Sequence, residues 1–231
     1  HLTFTMADNP GLSPKVLARY ESMFRGTFYR RFVLGEWAAA EGLVYDFFSP
    51  ELVQPVPEQM DGPWYISCDY GTVNPTSMGL WGQKGGVWYR TAEFYYDSRK
   101  NGRQQTDGEY ADDLARLAGG RDIRGVVLDP SAASFREELL RRGWTVYRAE
   151  NEVLSGIRRT AELLRAGQLV ICTPCEDAIR EFGLYRWDTA ASGDRVVKKH
   201  DHAMDDIRYF AVTVAGRRRD GFFAGTVERS G

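Results

Sequence analysis

The stretch Trp64-Tyr65-Ile66-Ser67-Cys68-Asp69-Tyr70-Gly71 constrains the chain most. It is an apolar, β-prone run that carries one carboxylate near its end and breaks at a glycine shortly before Asn74-Pro75. A carboxylate inside such a strand is costly to bury unless something pairs with it, so Asp69 is a candidate site residue. Val126-Val127-Leu128-Asp129-Pro130 repeats the arrangement. Two strands that each end in Asp can set two carboxylates side by side at one edge of a sheet, where hard divalent cations find oxygen ligands.

Length and composition allow one large domain, or one of about 150 residues with an appendage. With 43% hydrophobic and 13% aromatic residues the chain can fill a core. No apolar run reaches the roughly 18 residues of a membrane span and no secretory leader opens the sequence, so a soluble, unsecreted protein without membrane contact is expected. Three cysteines are too few and too odd in number for a disulfide framework. The opening at His1 reads like the interior of a longer protein. A net charge of −2 is not that of a generic DNA coat, so any nucleic-acid contact must be local. The clusters Arg99-Lys100 with Arg103, Lys198-Lys199, and Arg217-Arg218-Arg219 read first as solvated surface.

In chain order, Ser13-Pro14 opens a helical stretch over 15–24, a short second helix reaches Phe32, and 42–48 reads as a strand or extended arm. Pro50, Pro55, Pro57, Gly62 and Pro63 mark 51–63 as a linker. Strands over 64–70, 76–83 and 86–96, with a tight turn at Lys84-Gly85, make an antiparallel meander. Helical spacing over 104–118 separates the meander from a strand over 123–129, which should run parallel to the first. Ser131 is placed to cap a helix over 135–142 stopped by Gly143, and a fifth strand occupies 144–149. Helices over 153–166 and from Pro174 to Tyr185, a β-hairpin over 187–199 tipped by Ser192-Gly193-Asp194, and a helix over 202–215 complete the order. This describes an α/β protein with one mixed sheet flanked by helices.

The final helix opens with His200-Asp201-His202-Ala203-Met204-Asp205-Asp206-Ile207-Arg208-Tyr209. His202, Asp205, Asp206 and Tyr209 fall at i, i+3, i+4 and i+7 and share a helical face, with Asp206 nearer the apolar stripe. Acids also favour a first helical turn for the macrodipole alone. Two tempting motifs carry no function. Cys172-Thr173-Pro174-Cys175 lacks the second pair a zinc site needs, and Gly82-Gln83-Lys84-Gly85-Gly86 lacks the phosphate-loop pattern.

Asp69 on the first strand of the meander, Val-Leu-Asp129-Pro-Ser-Ala-Ala-Ser on the fourth strand and Asp-His202-Ala-Met-Asp205-Asp206-Ile-Arg-Tyr on the closing helix resemble the nuclease domain of tailed-phage large terminase subunits. Gly35-Glu36-Trp37, Glu41 to Tyr45, Glu150-Asn151-Glu152-Val153, Gly156-Ile157 and Tyr185 to Asp188 strengthen the resemblance. It implies an RNase H-like fold, in which the meander is extended by parallel strands. It also implies Asp69, Asp129 and Asp205 as ligands of two Mg²⁺ or Mn²⁺ ions, with His202 beside them as an auxiliary catalytic group. The residue after Asp205 is usually small in that family, and here it is Asp206, which stands as the rival third ligand.

The implied activity is endonucleolytic cutting of concatemeric double-stranded DNA during viral genome packaging, with little sequence specificity. Lys198 and Lys199 would guide the DNA. Residues 1–50 would be the tail of the packaging ATPase with its connecting segment, 64–216 the nuclease domain and 217–231 a basic tail. Portal protein and small terminase subunit would be partners through the full-length motor, the fragment itself monomeric, and the location the host cytoplasm. The alternatives are another RNase H-like enzyme, such as a junction resolvase or ribonuclease, and a non-catalytic docking module of the motor.

Overall fold

Seven strands, β1 (Val53–Gln54), β2 (Trp64–Asp69), β3 (Thr76–Lys84), β4 (Val87–Tyr96), β5 (Ile123–Leu128), β6 (Val146–Arg148) and β7 (Leu169–Cys172), form one sheet in a computed structural model that describes residues 42–188, 190 and 194–216. Their order across the sheet is β1-β7-β4-β3-β2-β5-β6. β3 is antiparallel to both β2 and β4, and every other neighbouring pair is parallel. The C-terminal ends of β2 and β5 therefore emerge at the same edge.

Alternation along the strands builds two cores. Ile66 and Cys68 of β2, Met78 and Leu80 of β3, and Val126 and Leu128 of β5 face α2 (Asp107–Ala118) and α3 (Ala133–Arg141), which follow the single turn α1 (Ser98–Asn101). Tyr65 and Trp81, on the other face, pack with α4 (Val153–Arg165), α5 (Glu176–Phe182) and α6 (His202–Phe210). Phe210 stacks on Trp81 with centroids 4.2 Å apart, fixing α6 across the middle of the sheet. Each such fully buried side chain contributes roughly 1.5–3 kcal/mol.

Local chemistry explains the element ends. Thr106 and Glu109 form a reciprocal capping box, so α2 begins at Asp107 rather than at 104. Gly143 (φ 84°) ends α3 and Gly167 (φ 63°) follows α4 in the left-handed region, as their sequence positions predict. The meander turn lies one residue later than expected. Lys84 pairs with Val87, and Gly85 and Gly86 both take positive φ (56° and 83°), which a two-residue hairpin loop requires.

Five expectations need correction. Residues 42–48 are neither a strand nor an extended arm but one bridge, Leu43↔Arg186, followed by a turn that buries Val44 and Tyr45. Ser131 does not cap α3: Ala132 occupies the cap position without a side-chain bond, and the Ser131 side chain, like its N–H at 2.6 Å, is turned to the Asp129 carboxylate. Leu169–Cys172 is a strand absent from the sequence reading, being only four residues long and indistinguishable by period from a buried helical turn. Among the described residues the hairpin over 187–199 is short, the antiparallel bridge Trp187↔Val196 flanked by hydrogen bonds from Asp188 N–H to the Arg195 carbonyl and from Val197 N–H to the Arg186 carbonyl, and positions 189 and 191–193 lie outside the described residues. The closing helix is α-helical only to Phe210 and widens to a π-helix over Ala211–Ala215.

Val53–Gln54, inside the stretch read as linker, pairs with β7 at the sheet edge. The expectations for 1–41 and 217–231 lie outside the described residues. Cys68, Cys172 and Cys175 are buried free thiols, and burial pushes Cys172 up to about 11 and Cys175 up to about 12, in keeping with inert core residues. Among the described residues no helix is long and apolar enough to cross a membrane.

Candidate active site

β2 and β5 carry the first two carboxylates to one place. Cys68 lies opposite Leu128, and the Asp129 N–H donates to the Cys68 carbonyl at 3.4 Å, so Asp69 and Asp129 leave the sheet as neighbours. Both sit an even number of residues from side chains that face α6, namely Ser67 and Val127, and so point to that side.

α6 then ties them together. His202 Nδ1 lies 2.9 Å from Asp69 Oδ2, and the Tyr209 hydroxyl donates to Asp129 Oδ2 at 2.6 Å. His202 and Tyr209 are two turns apart on one helical face, and Asp205 lies between them. Arg208 Nη2 donates to Asp205 Oδ1 at 2.9 Å and Lys198 Nζ to Oδ2 at 3.2 Å. Asp69, Asp129, His202 and Asp205 thus line one cleft of about 600 Å³, together with Lys198 and Lys199. Arg99 and Lys100, read from sequence as solvated surface, stand on the wall of the same cleft.

Asp206 does not share this face, contrary to the sequence reading. One residue on from Asp205 it is turned about 100° around the helix, and it is fully buried against the sheet. It accepts from Ser67 Oγ at 2.7 Å, from Ser77 Oγ, and from both terminal nitrogens of Arg90, with Nη2 at 3.0 Å. Trp81 Nε1 donates to Ser67 Oγ at 2.8 Å and completes the network. A buried Asp–Arg pair whose carboxylate also accepts from two hydroxyls comes close to the condition under which such charges are tolerated, with Arg90 Nε the one guanidinium nitrogen left without a partner. Gly79 leaves the space for it, since a Cβ at that position would fall on the Arg90 guanidinium. Gly79→Ala is therefore expected to destabilise the protein by about 1–3 kcal/mol in urea unfolding, because Asp206 prevents the guanidinium from swinging aside. A variant as stable as the parent would show that Arg90 is not held in place.

The carboxylates of the cleft are electrostatically unlike. Burial pushes Asp69 up to about 7; the His202 hydrogen bond opposes the rise, and the charge of Asp205 adds to it. Burial works in the same direction on Asp129, yet the Tyr209 hydroxyl, Ser131 and the charge of Arg208 outweigh it and hold Asp129 below its ordinary value. Burial opposes a charged His202, but Asp69 and, less strongly, Asp201 and Glu181 raise it.

Several contributors escaped the sequence reading. Glu181 is buried on α5, accepts from Tyr95 at 2.7 Å and takes the Ala203 N–H at 2.7 Å, anchoring the start of α6 and hence His202. Arg90 is a lone cation in the aromatic run 86–96, the same kind of signal that singled out Asp69. Arg208 and Tyr209 stood in the closing motif without an assigned role. His200 adopts φ 56°, unusual for a residue other than glycine, as the chain turns into α6.

No protein-family model matches the chain, and no curated protein sequence matches it. Solved structures do. The large terminase of a thermophilic bacteriophage, determined in complex with ADP, is 44% identical over 93% of this chain, with a TM-score of 0.85. The chain spans 55% of that protein, about half its length. The nuclease domain of the P22 large terminase is 17% identical, with 76% of this chain and 94% of that one covered and a TM-score of 0.61. The large terminase nuclease of thermophilic phage G20c with bound magnesium is 16% identical, covering 75% of this chain and 98% of that one, with a TM-score of 0.56. The mixed sheet with its flanking helices is the fold of these nuclease domains. Identity of 44% over nearly the whole chain, joined to that shared fold, makes the chain a relative of the bacteriophage large terminases, with the architecture of their nuclease domain.

Proposed function

We propose that the chain is a metal-dependent endonuclease that cuts concatemeric double-stranded DNA during viral genome packaging, with little sequence preference. The observation that carries this reading is the convergence of Asp69, Asp129 and Asp205 on one cleft with a basic wall. No helix-turn-helix or zinc finger is visible in the sequence, and cleavage directed at the phosphodiester backbone needs none.

The donor set fits a hard divalent cation, being carboxylate oxygen in a partly buried, solvent-reaching cleft. Among the described residues no three His, Cys, Asp or Glu side chains stand ready-made as a cage. Lys198 and Arg208 neutralise Asp205 instead, marking it as a position that takes positive charge. The G20c nuclease has been solved with magnesium and with cobalt, which supports the same metal chemistry here. Two Mg²⁺ or Mn²⁺ ions bound by Asp69, Asp129 and Asp205 would supply water activation and leaving-oxygen stabilisation for an in-line displacement at phosphorus.

The chain's own residues do the rest. His202 orients Asp69 and Tyr209 orients Asp129, so each carboxylate is held through one oxygen by α6. Lys198 and Lys199 contact the DNA backbone at the mouth of the cleft. In the longer protein, 51–63, whose Val53–Gln54 is already paired into the sheet, would join the nuclease region, 64–216, to the packaging ATPase, and portal and small terminase subunit would engage the assembled motor in the host cytoplasm.

Plasmid nicking in Mn²⁺ tests the reading. Asp129→Asn and Asp69→Asn are expected to lose activity by at least about a hundredfold, since a ligand carboxylate is removed. Nicking equal to the parent by both variants would sink the metal-site assignment. Preference for a four-way junction or an RNA–DNA hybrid over linear duplex would instead identify another RNase H-like activity.

A further inference from the structure

Asp205 has two cationic partners of unequal permanence. Arg208 reaches Oδ1 from a side chain that is 2% exposed, and Gly156 leaves room for its stem, where a Cβ would collide. Lys198 reaches Oδ2 from a side chain that is 63% exposed. The same ammonium lies 3.3 Å from Asp201 Oδ2, so it bridges two carboxylates one helical turn apart. Asp201 and Asp205 are themselves only 6% and 10% exposed. A nearly buried acidic pair is thus neutralised on its open side by one solvent-facing ammonium.

The guanidinium is fixed by packing, whereas the lysine stem is flexible and its head group regains full hydration when it swings out. A divalent cation approaching Asp205 from the cleft meets Lys198 on that open oxygen. We propose that Lys198 is an internal counter-ion, occupying the cation position on Asp205 in the metal-free protein and displaced when a divalent cation binds. The inference rests on Asp205 being a metal ligand, and it adds a competition that the ligand set alone does not predict. It also gives Lys198 a sequence of roles. The ammonium stabilises the acidic pair, and once released by the metal it is free to meet a phosphate at the mouth of the cleft. Val197 N–H donates to the Arg186 carbonyl at 2.9 Å, so the backbone beside Lys198 is tethered and the side chain alone needs to move.

Mn²⁺ titration of the full chain by isothermal calorimetry tests this, with Lys198→Gln, Lys199→Gln and Asp205→Asn beside the parent. Lys199 lines the same cleft and controls for the loss of one nearby charge. Lys198→Gln is expected to tighten Mn²⁺ binding roughly tenfold, the effect of removing a unit charge that opposes a dication at contact range in a half-solvated site. Lys199→Gln should change it less than about threefold, and Asp205→Asn should weaken it. Unchanged or weaker binding by Lys198→Gln, with Asp205→Asn still impaired, overturns the counter-ion and leaves the metal site standing. Equal tightening by both lysine variants assigns the effect to general charge and also overturns it. Mn²⁺ binding that Asp205→Asn does not alter, or no binding by the parent, overturns the metal reading of Asp205 and this inference together.

Discussion

Asp206→Ala is expected to lower the free energy of unfolding by roughly 3–5 kcal/mol, the cost of leaving one member of a buried ion pair without its partner. Arg90 is fully buried, and its guanidinium is held through both terminal nitrogens by Asp206. Glu93, with Oε2 3.4 Å from Nη2, compensates poorly because its two oxygens also accept the Asp177 and Ala178 N–H groups at the start of α5. For a chain of this size the loss corresponds to a fall of roughly 10 °C in the unfolding midpoint.

Asp205→Asn should behave in the opposite way. Its amide oxygen still accepts from Arg208 and Lys198 is solvated, so the expected stability change is about 1–2 kcal/mol, while cutting is lost with the ligand. Urea unfolding and Mn²⁺-dependent nicking of the two variants separate adjacent carboxylates into a structural pin and a site residue. An Asp206→Ala variant as stable as the parent, or an Asp205→Asn variant that cuts normally, would reverse the assignment.

Asp69→Asn is expected to remove activity and, in the absence of metal, to raise stability at pH 8. The unfolded chain releases the Asp69 proton near 3.8, whereas the folded protein keeps it to about 7, principally because the carboxyl is buried. Between those values the folded state binds more protons, so the free energy of unfolding falls as the pH rises. His202 adds in the same direction, since its raised value makes its proton a source of folded stability that is lost as pH climbs above the ordinary imidazole range. Asp129, held low, does the reverse and loses its contribution only as acid takes the pH through its folded value.

Asp69→Asn should therefore flatten the stability profile between about pH 4 and 7 and exceed the parent at pH 8 by roughly 1–3 kcal/mol. Mn²⁺ should restore the parent at pH 8 and leave the Asn variant unmoved, because a metal requires the ionised carboxylate. Urea unfolding from pH 4 to 8, with and without Mn²⁺, decides the matter. A variant with the parent's slope would show that Asp69 is not the group that takes up the proton. Stability given up at a site that must present unneutralised acid is the ordinary cost of function.

Local information in the chain was enough for much of this. Apolar, β-prone runs at 64–69 and 123–128 specify two strands and leave Asp69 and Asp129 at the ends of parallel neighbours, and the turn glycines specify where strands and helices stop. Those features depend on residues close in sequence, and sequence alone determined them. It could not choose between Asp205 and Asp206, because the choice depends on Arg90, 116 residues earlier, which claims Asp206 across the sheet. Nor could it tell that Asp129 draws the Ser131 side chain away from the helix cap, or that Lys198 turns back onto Asp205. These outcomes are pairings between charges and donors brought together only when the sheet and α6 close on one another, and tertiary structure alone decided them.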